Sequence, residues 1–409
     1  MQSSEMFKNI KRISIETYLL FQHHTTIEML RKAKDDRDLF TITGAGWHFV
    51  KYLGPAVVVV GLDGRSERTQ QQVIAGPTYQ GLLPKIAMLP PSVQHCIWMI
   101  SVPIIYPRLE AVESFANTVA TGKKAVNTTY NIVGKVTSSV AGVIGGKEVV
   151  ASGFSQVKKA VGKSGLMGGV LNSFGDIDIA DELRDLWTHK SKDIERTYLI
   201  RTLQGIATHK GIRMTFLSGG ELYTYCFLLF VRLRDFTDVH CCGAGLVHDI
   251  THPNDHKTMY QIISSSIVAS PAPNYVIKML HSDKALYVPK NGHKSTHQVS
   301  DTKEDMMEIF HTDTNGGPRE LKKLMGRRNY VAFAVYDPRE IPGMDTSSYA
   351  GSTYAGSTYA GSHPGSRRSG PNGLSKLSLA VDFVVQGDGA FTAPTKYGPV
   401  VIPSLEFGR

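Results

Sequence analysis

Short apolar runs, each ended by turn residues, recur along the chain, and amphipathic segments lie between them. The runs occupy residues 56–62, 96–102, 212–217, 260–264 and 330–335. Their length and their β-branched content predict buried strands. The clearest helical pattern covers residues 193–209, with one face formed by Ile194, Tyr198, Leu199, Leu203 and Ile206. Strands that alternate with amphipathic helices predict an α/β fold whose sheet is covered on both faces.

The amino-acid composition changes twice in the C-terminal part of the chain. Residues 347–373 are of low complexity, with a Tyr-Ala-Gly-Ser-Thr repeat, so residues 337–375 are predicted to form a flexible linker. Apolar residues then alternate with mostly polar ones over residues 377–385, and Gly387-Asp388-Gly389 follows as a turn. This pattern predicts that residues 376–409 form a β-hairpin tail that docks against the rest of the protein.

Residues 120–165 are rich in Gly, Ala, Val, Ser, Thr and Lys, and almost without carboxylates. An amphipathic helix making weak peripheral contact with an anionic membrane is one interpretation. An Ala/Gly-rich insertion without a lipid role is favoured, because the polar face is mainly Ser and Thr.

Charge and cysteine content narrow the class of protein. The formal net charge is +9, but the basic residues are scattered and form no recognisable nucleic-acid module, so no nucleic-acid partner is expected. The 4 cysteines form no CxxC pair, which argues against a zinc ribbon or a redox dithiol. A reducing, cytoplasmic location is therefore predicted, with peripheral membrane contact as the open alternative.

Several tracts between Tyr18 and Tyr336 together resemble the fungal branch of the PhoD-like phosphatases, within the metallophosphoesterase superfamily. They include Leu62-Asp63-Gly64-Arg65-Ser66-Glu67-Arg68-Thr69, Leu89-Pro90-Pro91-Ser92-Val93, Val102-Pro103-Ile104-Ile105-Tyr106-Pro107 and Gly326-Arg327-Arg328-Asn329-Tyr330. The resemblance implies a fold like the C-terminal half of a metallophosphoesterase, a two-sheet sandwich flanked by helices. It also implies hydrolysis of a phosphate ester by water bound to divalent metal ions.

The resemblance places two metal ligands at Asp238 and His240. In an extended segment, residues two apart point to the same side, and carboxylate and imidazole groups suit hard or borderline metals. In the family this motif directly follows a Ser-Gly strand end, here Ser218-Gly219, but residues 220–237 intervene. Their apolar, aromatic composition and codon boundaries that permit splice sites predict a retained intron; a genuine surface loop is the alternative.

Asp63 and Arg65 are the candidate catalytic residues. They follow a buried strand, where ligand-binding loops tend to lie, and the planar guanidinium of Arg65 suits a phosphate group. A surface ion pair, Asp63 with Arg68 or Glu67 with Arg65, is an equally open interpretation.

Residues before position 60 contain none of the superfamily's other metal-ligand motifs. Asp176 and Asp178 are better explained as acidic residues at a helix start. Residues 1–336 are therefore predicted to be an N-terminally truncated phosphatase domain. The alternative function is a non-catalytic fragment or pseudoenzyme that acts as a membrane-surface or protein-interaction module.

Overall fold

The computed structural model describes residues 4–32, 39–69, 71–107, 186–219, 241–249, 256–265, 267, 277–278, 280–281, 286–287, 302–338, 376–389 and 392–405. The predicted membrane-contact segment 120–165, the insertion 220–237 and nearly all of the predicted linker lie outside these residues. No helix in the described ranges is long and apolar enough to cross a lipid bilayer.

Four α-helices and twelve strands have their bounds within the described residues. The helices are α1 (Glu5–Gln22), α2 (Ile27–Lys32), α3 (Gly76–Ala87) and α4 (Asp193–Lys210), with a short 3₁₀ helix at Lys190–Lys192 before α4. The strands are β1 (Phe49–Tyr52), β2 (Val57–Leu62), β3 (His95–Ile100), β4 (Arg213–Ser218), β5 (Cys242–Asp249), β6 (Met259–Ile263), β7 (Leu286–Tyr287), β8 (Thr302–Met306), β9 (Leu324–Met325), β10 (Asn329–Tyr336), β11 (Ser378–Val385) and β12 (Thr395–Pro403).

The strands form two sheets, and the larger one is mixed. Its order is β1-β2-β3-β4-β6-β5-β8-β7, with β9 paired to β5. Strands β2, β3, β4 and β6 are parallel, and the remaining pairs are antiparallel. The smaller sheet is antiparallel, in the order β10-β11-β12. The predicted α/β class is confirmed.

The two faces of the larger sheet are covered by different structures. On one face, Val60, Trp98 and Phe216 belong to an apolar core shared with Leu82 of α3 and Leu203 of α4. The opposite face belongs to a second apolar core that includes the smaller sheet, with members Val57, Ile97, Tyr260, Ile262, Leu379, Val381 and Phe383. Alternate residues of each strand therefore face helices or the smaller sheet, because successive side chains point to opposite sides.

The run at residues 330–335 forms a strand, as predicted, but that strand is not buried. Tyr330 is 50% exposed and Val335 is 48% exposed. Strand β10 lies at the edge of the smaller sheet, where it pairs with β11 through eight residues. Because only one side of an edge strand is paired, an apolar composition did not guarantee burial.

The predicted helix at residues 193–209 is also present, but its buried face differs from the prediction. Leu199 and Leu203 are buried, whereas Ile194 and Tyr198 are largely exposed. Glu195 is buried in their place, because its carboxylate accepts hydrogen bonds from the backbone N–H groups of Val73 and Ile74 and from the Tyr79 hydroxyl. Polar contacts to a neighbouring loop therefore set the rotation of α4.

A buried ion pair connects α4 to strand β8. The guanidinium of Arg196 contacts the carboxylate of Glu304, and both side chains are nearly inaccessible to water. Arg196 Nε also donates to the carbonyl of Ile104 at 2.7 Å. Burying one charge without the other is costly, so the two residues stabilise the fold only together.

The start of β11 and the end of β12 are fastened to the amino-terminal edge of the larger sheet. His95 Nε2 lies 2.9 Å from the carbonyl oxygen of Leu377, and the Gln94 side chain accepts from the Leu377 N–H at 2.8 Å. Arg213 Nε donates to the carbonyl of Pro403 at 2.9 Å. These polar contacts fix the smaller sheet over the larger one at this edge.

Glu304→Leu is expected to destabilise the protein by about 3–5 kcal/mol, because it leaves the Arg196 guanidinium buried without a counter-charge. The double variant Arg196→Met/Glu304→Leu should recover most of that loss. Urea denaturation measures both. Lys396→Met breaks an exposed pair with Asp382 and serves as the control, with an expected change below about 1 kcal/mol. A similar small change for Glu304→Leu would contradict the role of the buried pair.

His95 makes the stability dependent on pH. Burial, with a smaller contribution from Arg213, lowers the pKa of His95 from 6.5 to about 4, although its hydrogen bond to Leu377 acts in the opposite direction. The neutral ring therefore stabilises the fold fully above about pH 6.5, and this contribution falls towards zero as the pH drops through about 4. We expect this effect to lower the free energy of unfolding by up to about 3 kcal/mol as the pH falls from about 6.5 to about 4.

The contribution can be isolated with His95→Gln, whose amide retains a donor for the Leu377 carbonyl. Denaturant unfolding at pH 7.5 and pH 4.5 should show a smaller pH-dependent loss in the variant than in the wild type. Equal losses in the two proteins would rule out His95 as the source.

Candidate functional site

An open cleft lies at the edge where the parallel strands of the larger sheet end. Asp63, Ser101, Gly219 and Ser264 directly follow β2, β3, β4 and β6, and all four line the cleft. Its volume is about 820 Å³. Ligand sites in open α/β sheets lie outside the carboxyl ends of the strands, so this cleft is the candidate functional site.

Two walls enclose the cleft above the sheet. Helix α1 contributes Ile15 and Tyr18, and β10 contributes Tyr330 and Phe333. The lining is polar near the strand ends and mainly apolar towards Met99 and the two walls. The cleft therefore has a polar end that suits a charged or hydroxylated group and an apolar end that does not.

Asp63 is held by backbone N–H groups. Its Oδ1 accepts from the N–H of Arg65 at 3.1 Å and of Ser66 at 3.0 Å, and its Oδ2 accepts from the N–H of Trp47 at 3.2 Å. Burial acts to raise the pKa of Asp63, but these bonds and one from the Ser66 side chain outweigh it and lower that pKa. Asp63 is thus an ionised carboxylate that fixes the turn carrying Arg65.

A buried His48–Glu67 pair supports this turn from behind. His48 Nδ1 accepts from the Asp63 N–H at 3.3 Å, and His48 Nε2 lies 3.6 Å from Glu67 Oε1. Burial lowers the pKa of His48, although Glu67 acts to raise it. The neutral imidazole can therefore keep its lone pair on Nδ1 for Asp63.

Glu67 is buried and anchors three neighbouring elements. Its carboxylate accepts from the Thr43 hydroxyl, from the Thr78 hydroxyl at 2.8 Å and from the Ala75 N–H at 3.0 Å. Burial acts to raise the pKa of Glu67, but these bonds lower it overall. The alternative interpretation of Glu67 as part of an exposed ion pair with Arg65 is wrong, because Glu67 is buried and its carboxylate accepts these three hydrogen bonds.

Arg65 is exposed and lines the polar end of the cleft. Among the described lining residues it is the single cation, and Asp63 is the single carboxylate. The structure therefore brings the two predicted catalytic residues together, but in unlike positions: Asp63 is held by the backbone, whereas Arg65 faces the cleft.

Sequence reasoning missed a group of neutral polar side chains on the floor of the cleft. Ser264 Oγ donates to Asn329 Oδ1 at 3.1 Å, and Asn329 Nδ2 donates to Ser265 Oγ at 2.8 Å. The Gln261 amide donates to Ser218 Oγ at 3.0 Å. A usable signal existed, because a serine lies at or next to the end of three of the predicted strands (Ser101, Ser218 and Ser264), and parallel pairing brings such residues to one edge.

Asp238 and His240 lie outside the described residues. The described residues on either side of that gap are Gly219, which lines the cleft, and Cys241. Strand β5 starts beside the carboxyl end of β6, since Gly243 is paired with Ile263. Both ends of the gap therefore lie at the edge that carries the cleft. Within the described part of the chain, no group of three or more His, Cys, Asp or Glu residues could hold a metal ion.

With the fold and the cleft described, comparison with known proteins gives the class of this chain. The family model described as "PhoD related phosphatase" matches residues 1–409, so the chain belongs to that family. It is also similar to the uncharacterized protein YGR266W of Saccharomyces cerevisiae, with 24% identity over 369 residues. This match covers 80% of the chain but 43% of the yeast protein, so the chain spans less than half the length of that relative. No solved structure matches the chain.

Asp63→Ala should loosen the turn that carries Arg65, because three N–H groups lose their acceptor. We expect a loss of about 1–3 kcal/mol in stability and faster hydrogen exchange at the amides of Arg65 and Ser66. Asp63→Asn keeps one acceptor oxygen and should show a smaller effect. Glu320→Ala, at a largely exposed carboxylate, is the control. Unchanged exchange at Arg65 and Ser66 in Asp63→Ala would exclude this positioning role.

Proposed function

We propose that the chain binds a phosphate ester at the polar end of the cleft and contributes to its hydrolysis. One observation carries the proposal: in a chain of the PhoD related phosphatase family, Arg65 supplies the one guanidinium among the described residues that line a cleft at the carboxyl ends of parallel strands. Phosphate is an anion with several acceptor oxygens, and the planar fork of an arginine binds it through two parallel hydrogen bonds.

The neighbouring side chains support this assignment by their chemistry. Asp63 fixes the backbone of Arg65 and Ser66, so the guanidinium starts from an ordered turn. The hydroxyl groups of Ser101 and Ser218 lie in the same cleft and can donate to ester oxygens without adding charge. We assign Arg65 the role of phosphate contact and Asp63 the role of positioning residue.

Asp238 and His240 are the proposed ligands for divalent metal ions. Such a metal centre would lower the pKa of a bound water and stabilise charge on the phosphate. The described residues alone do not make up a metal site, so the fit of a metal rests on these two side chains. In the fold, the smaller sheet packed on the larger one supports the further proposal that the chain corresponds to the C-terminal half of a two-sheet metallophosphoesterase.

Arg65→Ala is expected to weaken binding of inorganic phosphate about tenfold to a hundredfold, because a charge-assisted bond to phosphate is worth about 1.5–3 kcal/mol. Arg65→Lys should recover part of the affinity but not the two-point contact. Isothermal titration calorimetry measures the affinity, and Arg31→Ala, at an exposed arginine in α2, is the control. Equal affinity of Arg65→Ala and Arg31→Ala would overturn the assignment of Arg65.

Hydrolysis is tested separately by adding Mn²⁺, Mg²⁺ or Zn²⁺ to the purified chain with p-nitrophenyl phosphate or its diester. Metal-dependent release of p-nitrophenol that is lost in Asp238→Ala supports the hydrolase. Arg65-dependent phosphate binding without any release would favour the non-catalytic alternative.

A further inference from the structure

The wall of the cleft formed by α1 carries a hydrogen-bonded pair of aromatic side chains, Tyr18 and His23. His23 Nε2 lies 2.8 Å from the hydroxyl oxygen of Tyr18, and the two rings meet edge to face with their centroids 4.9 Å apart. Tyr18 lines the cleft and is 41% exposed, whereas His23 is half-buried and lies outside the cleft lining. The pair therefore places the phenol at the cleft and the imidazole behind it.

The position of His23 is fixed by the end of α1 and by β1. The N–H groups of His23 and Thr25 both donate to the carbonyl of Leu19 at 3.1 Å, and Leu19 is buried. The His23 ring also contacts the Phe49 ring, with centroids 5.9 Å apart. Phe49 in turn lies over Gly61, where any side chain would collide with its ring. The imidazole is thus held from two sides and can fix the hydroxyl that it contacts.

The negative charge of Asp63 acts on the Tyr18 hydroxyl. Burial raises the pKa of Tyr18, and the Asp63 carboxylate raises it further. Charges act through salt solution over about 10 Å or less, so this influence places the hydroxyl at the polar end of the cleft, which also carries Arg65. The raised pKa keeps the phenol protonated at neutral pH, so the hydroxyl can donate a hydrogen bond there.

The Tyr18 hydroxyl can form a second hydrogen bond. A phenol both donates and accepts, and within the described ranges of the chain His23 Nε2 is its one hydrogen-bonding partner. Burial is the main cause of a lowered pKa of His23, and Lys51 and His24 lower that pKa further, so the ring is mostly neutral at neutral pH. A neutral ring with its proton on Nε2 donates to the phenol oxygen, and the phenol proton is then available to a ligand in the cleft.

We propose that Tyr18 is a second phosphate-binding residue, whose hydroxyl donates to an oxygen of the phosphate held by Arg65 while His23 Nε2–H donates to Tyr18. This role rests on the proposed function, because it needs a phosphate group at the polar end of the cleft. Phosphate is a better acceptor for the phenol proton than a neutral imidazole, since a charged acceptor forms the stronger hydrogen bond. Tyr18 contacts the ligand, and His23 is a positioning residue that acts through Tyr18.

The two phosphate contacts come from different parts of the fold. Arg65 lies on the turn after β2, and Tyr18 lies in α1. Arg65 supplies a charge, whereas Tyr18 supplies a neutral donor with a defined direction. Bound phosphate therefore connects α1 to the turn after β2.

Calorimetric titration of the full chain with inorganic phosphate at pH 8 tests the contact. Tyr18→Phe removes the hydroxyl but keeps the ring, and it should weaken binding about tenfold, because a hydrogen bond to a charged group is lost. Tyr52→Phe, at a tyrosine of similar exposure outside the cleft lining, is the matched control and should bind phosphate as the wild type does.

The role of His23 is tested by a double-variant cycle. His23→Leu should weaken phosphate binding about threefold in the wild-type background, because the phenol loses the donor that orients it. The same substitution should have no further effect in the Tyr18→Phe background, since His23 acts through the missing hydroxyl. An equal loss in the two backgrounds would overturn the positioning role.

A ¹⁵N NMR measurement on the wild-type protein tests the same hydrogen bonds without any variant. In the phosphate complex at pH 8, the His23 ring should be neutral with its proton on Nε2, because that nitrogen donates to Tyr18. A proton on Nδ1 in the complex would overturn the proposal, because Nε2 would then accept from the phenol and leave it no proton for the phosphate.

Two outcomes separate the role of Tyr18 from the phosphate site itself. If Arg65→Ala binds phosphate as tightly as the wild type, the phosphate site at Arg65 is wrong and the role of Tyr18 is wrong with it. If Arg65→Ala weakens binding but Tyr18→Phe and Tyr52→Phe bind equally, the phosphate site stands and the role of Tyr18 alone is wrong.

Discussion

Parallel pairing of β2, β3, β4 and β6 is the constraint on which the rest of the structure depends. Adjacent parallel strands cannot be joined by a tight turn, so the chain must cross over between them. Helix α3 lies in the first crossover and α4 in the second. The same pairing brings the carboxyl ends of four strands to one edge, where Asp63, Ser101, Gly219 and Ser264 meet although they are distant in sequence.

Buried polar side chains then fix the loops around this sheet. Glu195 of α4 accepts from the backbone of Val73 and Ile74, and the Gln261 amide accepts from the N–H of Ile104 and donates to Ser218. Each group would be costly to bury without a partner, so each contact allows few alternative loop positions. The turn from Asp63 to Glu67 is held in this way on both sides. Buried side chains, rather than the exposed residues of the site, therefore set the geometry of the site.

The chain belongs to the PhoD related phosphatase family, and its described elements cover the two faces of the larger sheet unevenly. Among the described residues, helices cover one face, whereas the three-stranded sheet covers only part of the other, where Met99 is 44% exposed. The polar and apolar ends of the cleft therefore have different origins. Loops after the parallel strands form the polar end. The apolar end lies where the smaller sheet stops covering the larger one.

The sequence determined the class of fold, most strand positions and the residues that follow them, because apolar runs and turn residues are local signals. It identified Asp63 and Arg65 as neighbours after a strand, but it could not separate their roles. Tertiary structure decided that the N–H groups of Trp47, Arg65 and Ser66 hold Asp63, and that Glu67 is buried. It also decided that β10 lies at an edge and that Ile194 and Tyr198 of α4 face water. The pattern of apolar residues shows only which side chains are apolar. Whether such a side chain is buried depends on which distant element covers it.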